Sequence, residues 1–326
     1  MKDLSNYESL SVQQKWNMLA SVSNMYYNNG LTQNQIANRL YTSRSKISRM
    51  LKEARDLGIV VITIKEPWER DLQLEKTLME HSALKDIRVI KVKDTERTVI
   101  RDRVVEAAAY YLESIIKPEM TIGISWGNTL FHVVEYIRNN NQKNIPITVT
   151  PIMGAANIAS PERDGMDLAR SMASSYGGKY NYIFAPLFLK SSELKDNLMS
   201  EENIKNALDL AASADIILTS AGSIIYQSWK NLLSQQTLHT LEQIGAVGHI
   251  GGHFYNIKGE ELDTSLKKRI VGLSFDEIKK CPQTVCVAYS ESKADPVIGA
   301  LKSNSIDTLI VDDKCAARVA TYFECQ

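Results

Sequence analysis

Thr121-Ile122-Gly123-Ile124-Ser125-Trp126-Gly127-Asn128-Thr129-Leu130 is the stretch on which the fold turns. An apolar, β-branched run leads into two glycines that bracket a serine, and a helical pattern follows to about Arg138. That order reads as strand, tight turn and helix. Such a turn aims backbone N–H groups at the space before the helix, where the helix dipole favours an anion. Working outward, the same alternation recurs along most of the chain. Strands are expected at Asp86–Val92, Met120–Ser125, Ile147–Ile152, Tyr182–Ala185, Asp215–Ser220, Thr284–Tyr289 and Ile306–Val311. Helices are expected at Thr98–Ile116, Thr129–Arg138, Asp167–Tyr176, Glu201–Ala212, Asp276–Lys280, Pro296–Lys302 and Lys314–Glu324. Strands joined by helices predict a Rossmann-like, mainly parallel α/β domain with ligands beyond the C-terminal strand ends. No internal repeat or low-complexity tract interrupts it.

The N-terminal part has a different pattern. Gln14–Tyr27 carries Trp16, Leu19, Ala20, Val22 and Tyr26 at helical spacing, with Gly30 as its stop. Thr32 and Gln35 form a capping box for a second helix with Ile36, Ala37 and Leu40 on its apolar face. After a break at Tyr41-Thr42, a third helix is predicted from Arg44 to Leu57, capped by Thr42 or Ser43 and stopped by Gly58. Its inward face is Ile47, Met50, Leu51 and Ala54; its other face carries Arg44, Ser45, Lys46, Ser48, Arg49 and Lys52. A helix fits the major groove of DNA, and donors in its first turns reach base edges and phosphates. The arrangement predicts a helix-turn-helix head over residues 1–65, with Ile59–Ile64 as a wing strand. DNA contacts are expected from Gln33, Thr42 and Ser43 together with the six donors of that outer face. A linker helix is expected within 66–85, where Asp71–His81 is amphipathic, and the α/β domain occupies 86–326.

The charge balance supports that division. The 326 residues hold 38 Lys+Arg and 38 Asp+Glu, a net charge of zero. Residues 1–65 alone carry nine basic and four acidic side chains, so the head is +5 and the remainder −5. A basic head calls for an anionic partner. Cys281, Cys286, Cys315 and Cys325 make no C-x-x-C pair, which points to reduced thiols rather than a disulfide framework or zinc site. The first ten residues have no apolar core of a signal peptide, and no run reaches the ~18 apolar residues of a membrane helix. A soluble cytoplasmic protein is expected.

Enzyme chemistry has one foothold. Gly123-x-Ser125-x-Gly127 also spells the nucleophile elbow of α/β-hydrolases, with His249 and His253 downstream. Two further strand–helix units after those histidines, and no glycine run before the serine, argue against it. His249 and His253 are four apart, but the glycines around them disfavour a helix and no third metal ligand is evident. Tyr255–Gly259 reads as a hairpin turn. Lys293 follows a strand, where it would face a ligand or solvent.

Taken together, several motifs resemble the SorC family of sugar-binding transcriptional regulators, relatives of deoxyribonucleoside-type regulators. They are Tyr26-Tyr27-x-x-Gly30-Leu31-Thr32-Gln33, Ser43-Arg44-x-x-Ile47-Ser48-Arg49-Met50-Leu51-Lys52-Glu53-Ala54, Gly123 to Leu130, Gly245-Ala246-Val247-Gly248, Lys293-Ala294 and Leu309-Ile310-Val311-Asp312-Asp313. The resemblance implies a non-enzymatic regulator, without a cofactor, whose binding to double-stranded operator DNA answers to a phosphorylated sugar or polyol. It implies dimers or tetramers. Ser125, Trp126, Gly127, Asn128 and Thr129 would surround the phosphate; Met153, Gly154, Ala155, His249 and Lys293 would complete the effector site. The chain departs from the family at two of these places and at the pair Tyr289-Ser290. Met153 replaces a lysine that some relatives use for a Schiff base, so binding is expected to be noncovalent. His249 replaces an acid, and Tyr289-Ser290 a glycine pair. An isomerase-like or hydrolase activity, and a DNA-binding oligomer with a non-functional pocket, are the alternatives.

Overall fold

The computed structural model describes residues 7, 10–60, 68–141, 143–156, 160–224 and 227–325. The chain divides into two compact units, 1–67 and 68–326.

Among its described residues the first unit has three α-helices, α1 (Val12–Ser23), α2 (Gln33–Arg39) and α3 (Arg44–Asp56). Capping residues begin each one. Ser11 and Gln14 make a capping box on α1, and Thr32 and Gln35 make one on α2, as their spacing predicts. Ser43 Oγ accepts the Lys46 N–H at the start of α3. The first helix departs from expectation: it starts at Val12 and passes into one π-helical turn, Asn24–Asn28. Leu19 and Val22 are buried as predicted, whereas Trp16 is 45% exposed. Gly30 (φ +66°) then reverses the chain in a conformation that a side chain would disfavour. The predicted inner face of α3, Ile47, Met50, Leu51 and Ala54, is buried against Leu19, Val22, Ile36 and Ala37. Ile59 and Val60 pack half-buried on that core in a bend, not a strand. The rest of the predicted wing, residues 61–64, lies outside the described residues.

The second unit starts with β1 (Glu69–Arg70), α4 (Leu72–Glu80) and β2 (Asp86–Lys91), then α5 (Arg97–Ile115) and β3 (Thr121–Ile124). It continues with α6 (Asn128–Asn140), β4 (Thr148–Pro151), α7 (Gly165–Ser175) and β5 (Lys179–Tyr180). Next come α8 (Ser192–Met199), α9 (Glu202–Ala212), β6 (Ile216–Thr219), α10 (Gln227–Lys230) and α11 (Gln235–Gln243). The chain closes through β7 (Ala246–Ile250), β8 (His253–Asn256), α12 (Phe275–Lys280), β9 (Thr284–Ala288), α13 (Ala294–Lys302), β10 (Thr308–Asp312) and α14 (Asp313–Glu324).

Eight strands form one sheet in the order β1-β2-β10-β9-β6-β3-β4-β5, parallel throughout except at β1. Strand residues alternate between the two faces, as the pleat requires. Ile310 joins the core under α5, α6 and α7, while its neighbours Leu309 and Val311 join the opposite core with α4, α13 and α14. The segment expected as a linker helix therefore belongs to the second unit, with Leu78 of α4 fully buried there. Glu75 locks it in place. It accepts two hydrogen bonds from the Arg70 guanidinium (2.8 and 2.6 Å) and one from the Val89 N–H (2.9 Å).

Two predicted strand features shift. A strand is expected at Tyr182–Ala185, but pairing with β4 is confined to Lys179–Tyr180. The reason is that β4 ends at Pro151, and beyond it the chain pairs elsewhere, Ala155 with Pro186 and Met153 with Gly272. The glycine-dense stretch after Gly245 is a hairpin, β7–β8, turning at Gly251 and Gly252 with φ of +60° and +90°. The turn predicted at Tyr255–Gly259 follows it, and Tyr255 bridges to Glu261.

Candidate functional site

Each unit presents one. On the head, Arg44, Ser45, Ser48, Arg49 and Lys52 stand exposed along one side of α3, opposite its buried face. Lys46 is half-buried, its ammonium 5.8 Å from the Tyr7 ring centroid, while the Tyr7 hydroxyl donates to Glu53 (3.0 Å). Gln33 and Thr42 are half-buried beside this face. Ser43 is exposed, but its hydroxyl is engaged in capping and in a 2.9 Å contact with the Ser45 hydroxyl. The surface is cationic. Its first two turns carry donors that can reach base edges and phosphate oxygens.

In the second unit a cavity of about 610 Å³ opens at the C-terminal ends of β3, β6 and β9. Seven of the ten residues read from the sequence as an effector site line it: Ser125, Trp126, Gly127, Asn128, Thr129, His249 and Lys293. Met153, Gly154 and Ala155 do not. Met153 is buried in the core, and the amides of Gly154 and Ala155 donate to Val271 O and Ala185 O. A Cβ on Gly154 would lie 2.5 Å from Ala185 O, so this glycine serves strand packing.

Residues that motif reading did not find complete the wall. Arg97, Thr98 and Arg101 come from the first turns of α5, and Ser160 and Arg163 from the segment before α7. Ser220, Gly222 and Ser223 follow β6, Asn231 follows α10 and Tyr289 follows β9. The available signal was position alone, since several follow predicted strands.

The geometry is held from several directions. Gly127 adopts φ +115°, which favours glycine, and its N–H donates to Arg163 O (2.9 Å). That bond ties the Arg163 segment to the start of α6. Asp164 holds the same segment by accepting the N–H groups of Ala156 (2.9 Å) and Met166 (3.1 Å). Asn128 Nδ2 donates to the Tyr289 hydroxyl (3.3 Å), joining the β3 and β9 loops. Ser290 is held at φ +84°, and its N–H donates to Asp312 Oδ2 (2.7 Å).

Aromatic rings make one wall. Trp126 stacks on His249 (6.2 Å between centroids, 22° between planes), and Trp229 meets His249 edge-on at 4.6 Å. His249 lies over Gly222, with which it exchanges both backbone hydrogen bonds. Burial, and next the nearby Lys293 charge, push the His249 pKa down to about 3, so the ring is neutral near pH 7. Lys293 is only 8% exposed; its Nζ donates to Ala221 O (3.0 Å), and burial lowers its pKa to about 8. It remains mostly protonated at neutral pH. Three buried nitrogens on the lining residues lack a hydrogen-bond partner: Trp126 Nε1, Arg163 Nε and His249 Nδ1. Buried polar atoms are rarely left so, and a cluster of them marks a place for a ligand.

The hydrolase geometry is missing. No imidazole hydrogen-bonds to Ser125 among the described residues, and both nitrogens of His253 are engaged, with Glu261 Oε1 (2.6 Å) and Leu273 O (2.9 Å). No group of three or more potential metal ligands occurs among the described residues.

Comparison with known proteins fits this construction. The model of the family described as "Putative sugar-binding domain" matches residues 66–320. The chain belongs to that family. This sugar-binding family member is 29% identical over 310 residues to the transcriptional regulator LsrR of Enterobacter sp. (strain 638), covering 93% of the chain and 92% of the relative. It is 28% identical over 312 residues to LsrR of Escherichia coli (strain K12), covering 92% and 93%. Its fold is that of the full-length sorbitol operon regulator SorC from Klebsiella pneumoniae, with a TM-score of 0.75 at 23% identity, over 93% of the chain and 98% of that structure. The SorC-type resemblance carried by the motifs is thereby borne out, and with it the reading of a transcriptional regulator with a sugar-binding domain rather than an enzyme. No helix among the described residues is long and apolar enough to cross a membrane.

Proposed function

We propose that this regulator binds operator DNA of a carbohydrate or polyol catabolic operon in the cytoplasm, and that a phosphorylated sugar or polyol, bound reversibly in the cavity, controls that binding. One observation carries the reading: the cavity surrounds the start of α6, with Arg97, Arg101, Arg163 and Lys293 on its walls. A helix N-terminus flanked by cations suits a phosphate. The N–H groups of Asn128 and Thr129, in the first turn of α6, would meet its oxygens. Gly127 would not, because its amide is engaged with Arg163 O. With methionine at position 153 and Lys293 remote from free solvent, no covalent step is needed. On the head, Arg44, Ser45, Ser48 and Arg49 would read the major groove, and Lys46 and Lys52 would meet phosphates.

A single small head has modest affinity; two joined through a dimer or tetramer would engage half-sites about 34 Å apart. The effector shifts DNA binding only if it prefers one arrangement of the oligomer. The test has two steps. Genomic fragments retained by the full-length protein define the operator, and fluorescence anisotropy then measures its affinity with and without sugar and polyol phosphates. An operator affinity unaffected by every such compound, with no thermal stabilisation by any of them, would refute the proposal.

A further inference from the structure

Helix α2 of the head ends in a Schellman motif. The Thr42 N–H donates to Ala37 O (2.9 Å) and the Tyr41 N–H to Asn38 O (3.4 Å), so two carbonyls that the helix leaves open are satisfied. That closure needs a left-handed residue between Leu40 and Thr42, and Tyr41 fills the place with φ +50°. A Cβ makes this conformation costly for residues other than glycine, which is why helices ordinarily close on glycine or asparagine there. Elsewhere in the head the chain turns after α1 on Gly30 (φ +66°) and after α3 on Gly58 (φ +71°). Tyr41 gives up that ease, and packing does not offset the cost. The residue is 82% exposed and stands outside the apolar core of the head. Strain kept at an exposed position marks a contact with something outside the fold.

The setting of Tyr41 names the partner. It lies in the turn that leads into α3, two residues before the N-cap Ser43, and the exposed arginines Arg39 and Arg44 flank it in sequence. We infer that Tyr41 lies against the sugar–phosphate backbone of operator DNA at the edge of the groove that α3 enters, its hydroxyl donating to a phosphate oxygen. The inference rests on the proposed DNA-reading head and deepens it, adding a contact that positions α3 without reading sequence. A phosphate fits better than a base edge for two reasons. In a helix-turn-helix the first helix crosses the backbone while the start of the second reaches the bases, and Tyr41 closes the first. A phenol also has a single hydroxyl, which cannot make the bidentate pairs by which side chains tell bases apart.

The test is fluorescence anisotropy of the full-length protein with two labelled duplexes, a genomic fragment that the protein retains and a random-sequence duplex of equal length, beside hydrogen exchange of the α2 amides. Tyr41→Gly is expected to weaken binding of both duplexes by about fivefold or more, and to the same extent within about twofold. The salt dependence should keep its slope, because a neutral donor releases no counterion. In the same variant the α2 amides should exchange about fivefold more slowly, as the strain at the helix end is relieved. A tyrosine with a purely structural role would not couple a firmer helix to poorer DNA binding. Tyr41→Phe keeps the ring and the strain, so it should lose affinity as Tyr41→Gly does while α2 exchange stays unchanged. Wild-type affinity in Tyr41→Gly, or faster α2 exchange with a flattened salt slope, overturns the inference. Wild-type affinity in Tyr41→Phe overturns the hydroxyl contact, and weakening confined to the genomic fragment overturns the phosphate in favour of a base. Arg44→Ala separates the two readings: if it weakens binding and neither Tyr41 variant does, this inference alone falls, and if none of the three weakens either duplex, the DNA-reading head falls with it.

Discussion

Raising the pH from 7 to 9.5 is expected to weaken effector binding about thirtyfold through Lys293. In the folded protein burial holds its pKa at about 8, below the ordinary value of 10.5. An anion bound against it would restore the charged form and raise that pKa. The effector then binds the protonated protein, and above pH 8 each further unit reduces affinity by up to tenfold. Between pH 7 and 9.5 this amounts to about 1.5 decades, or roughly 2 kcal/mol. Neighbouring groups do not share this transition. Burial raises the Cys286 and Cys315 thiols well above it, and burial with the Lys293 charge keeps His249 far below it. The free protein should behave oppositely. Since the lysine pKa is depressed on folding, the unfolded chain binds more protons between pH 8 and 10.5, so Lys293 adds stability as pH rises through that window. Its full extent is about 3 kcal/mol. Titration calorimetry in buffers of different ionisation enthalpy should show uptake of close to one proton on binding near pH 9. A flat affinity from pH 7 to 9.5, or the same slope in Lys293→Met, would refute the reasoning.

Three further outcomes are expected. Arg44→Ala and Arg49→Ala should each weaken operator binding by about 1–3 kcal/mol, with little change in Tm, because both side chains are exposed; anisotropy titrations and thermal melts check this. Gly222→Ala would place a Cβ 1.9 Å from His249 Nε2, forcing the imidazole away from Trp126 and Trp229. A loss of about 1–3 kcal/mol in stability is expected, with loss of effector binding, in denaturant melts and calorimetry. Glu75→Ala strands the Val89 N–H and unpairs Arg70, which should lower stability by about 1–3 kcal/mol in the same melts.

What could be read from the sequence followed how local its physics is. The capping pair Thr32–Gln35 and the inner face of α3 involve neighbours in sequence, and both stand where their spacing placed them. The loop from Ser125 to Thr129 was legible for the same reason. The hairpin β7–β8 was not, because its glycines, needed at positive φ and close to neighbours, remove the side-chain pattern that announces a strand. Arg97, Arg163, Ser220 and Asn231 reach the cavity from four separate segments, and nothing short of the sheet order brings them together. Met153 shows the converse: its position in a motif suggested the effector site, yet pairing with Gly272 turns it into the core.

The short antiparallel strand β1 bears on how such chains can be recombined. Arg70 and the strand pairing of Glu69 and Arg70 with Lys91 and Ile90 belong to the second unit, ahead of its first helix. A fragment or fusion that begins at Trp68 keeps its own edge strand and the Arg70–Glu75 clamp. One that begins at Leu72 exposes the β2 edge and leaves Glu75 buried without its cation. The natural cutting point for exchanging one head for another thus lies before residue 68, and a gene that acquired a new DNA specificity by swapping heads there would carry the ligand-binding unit across intact.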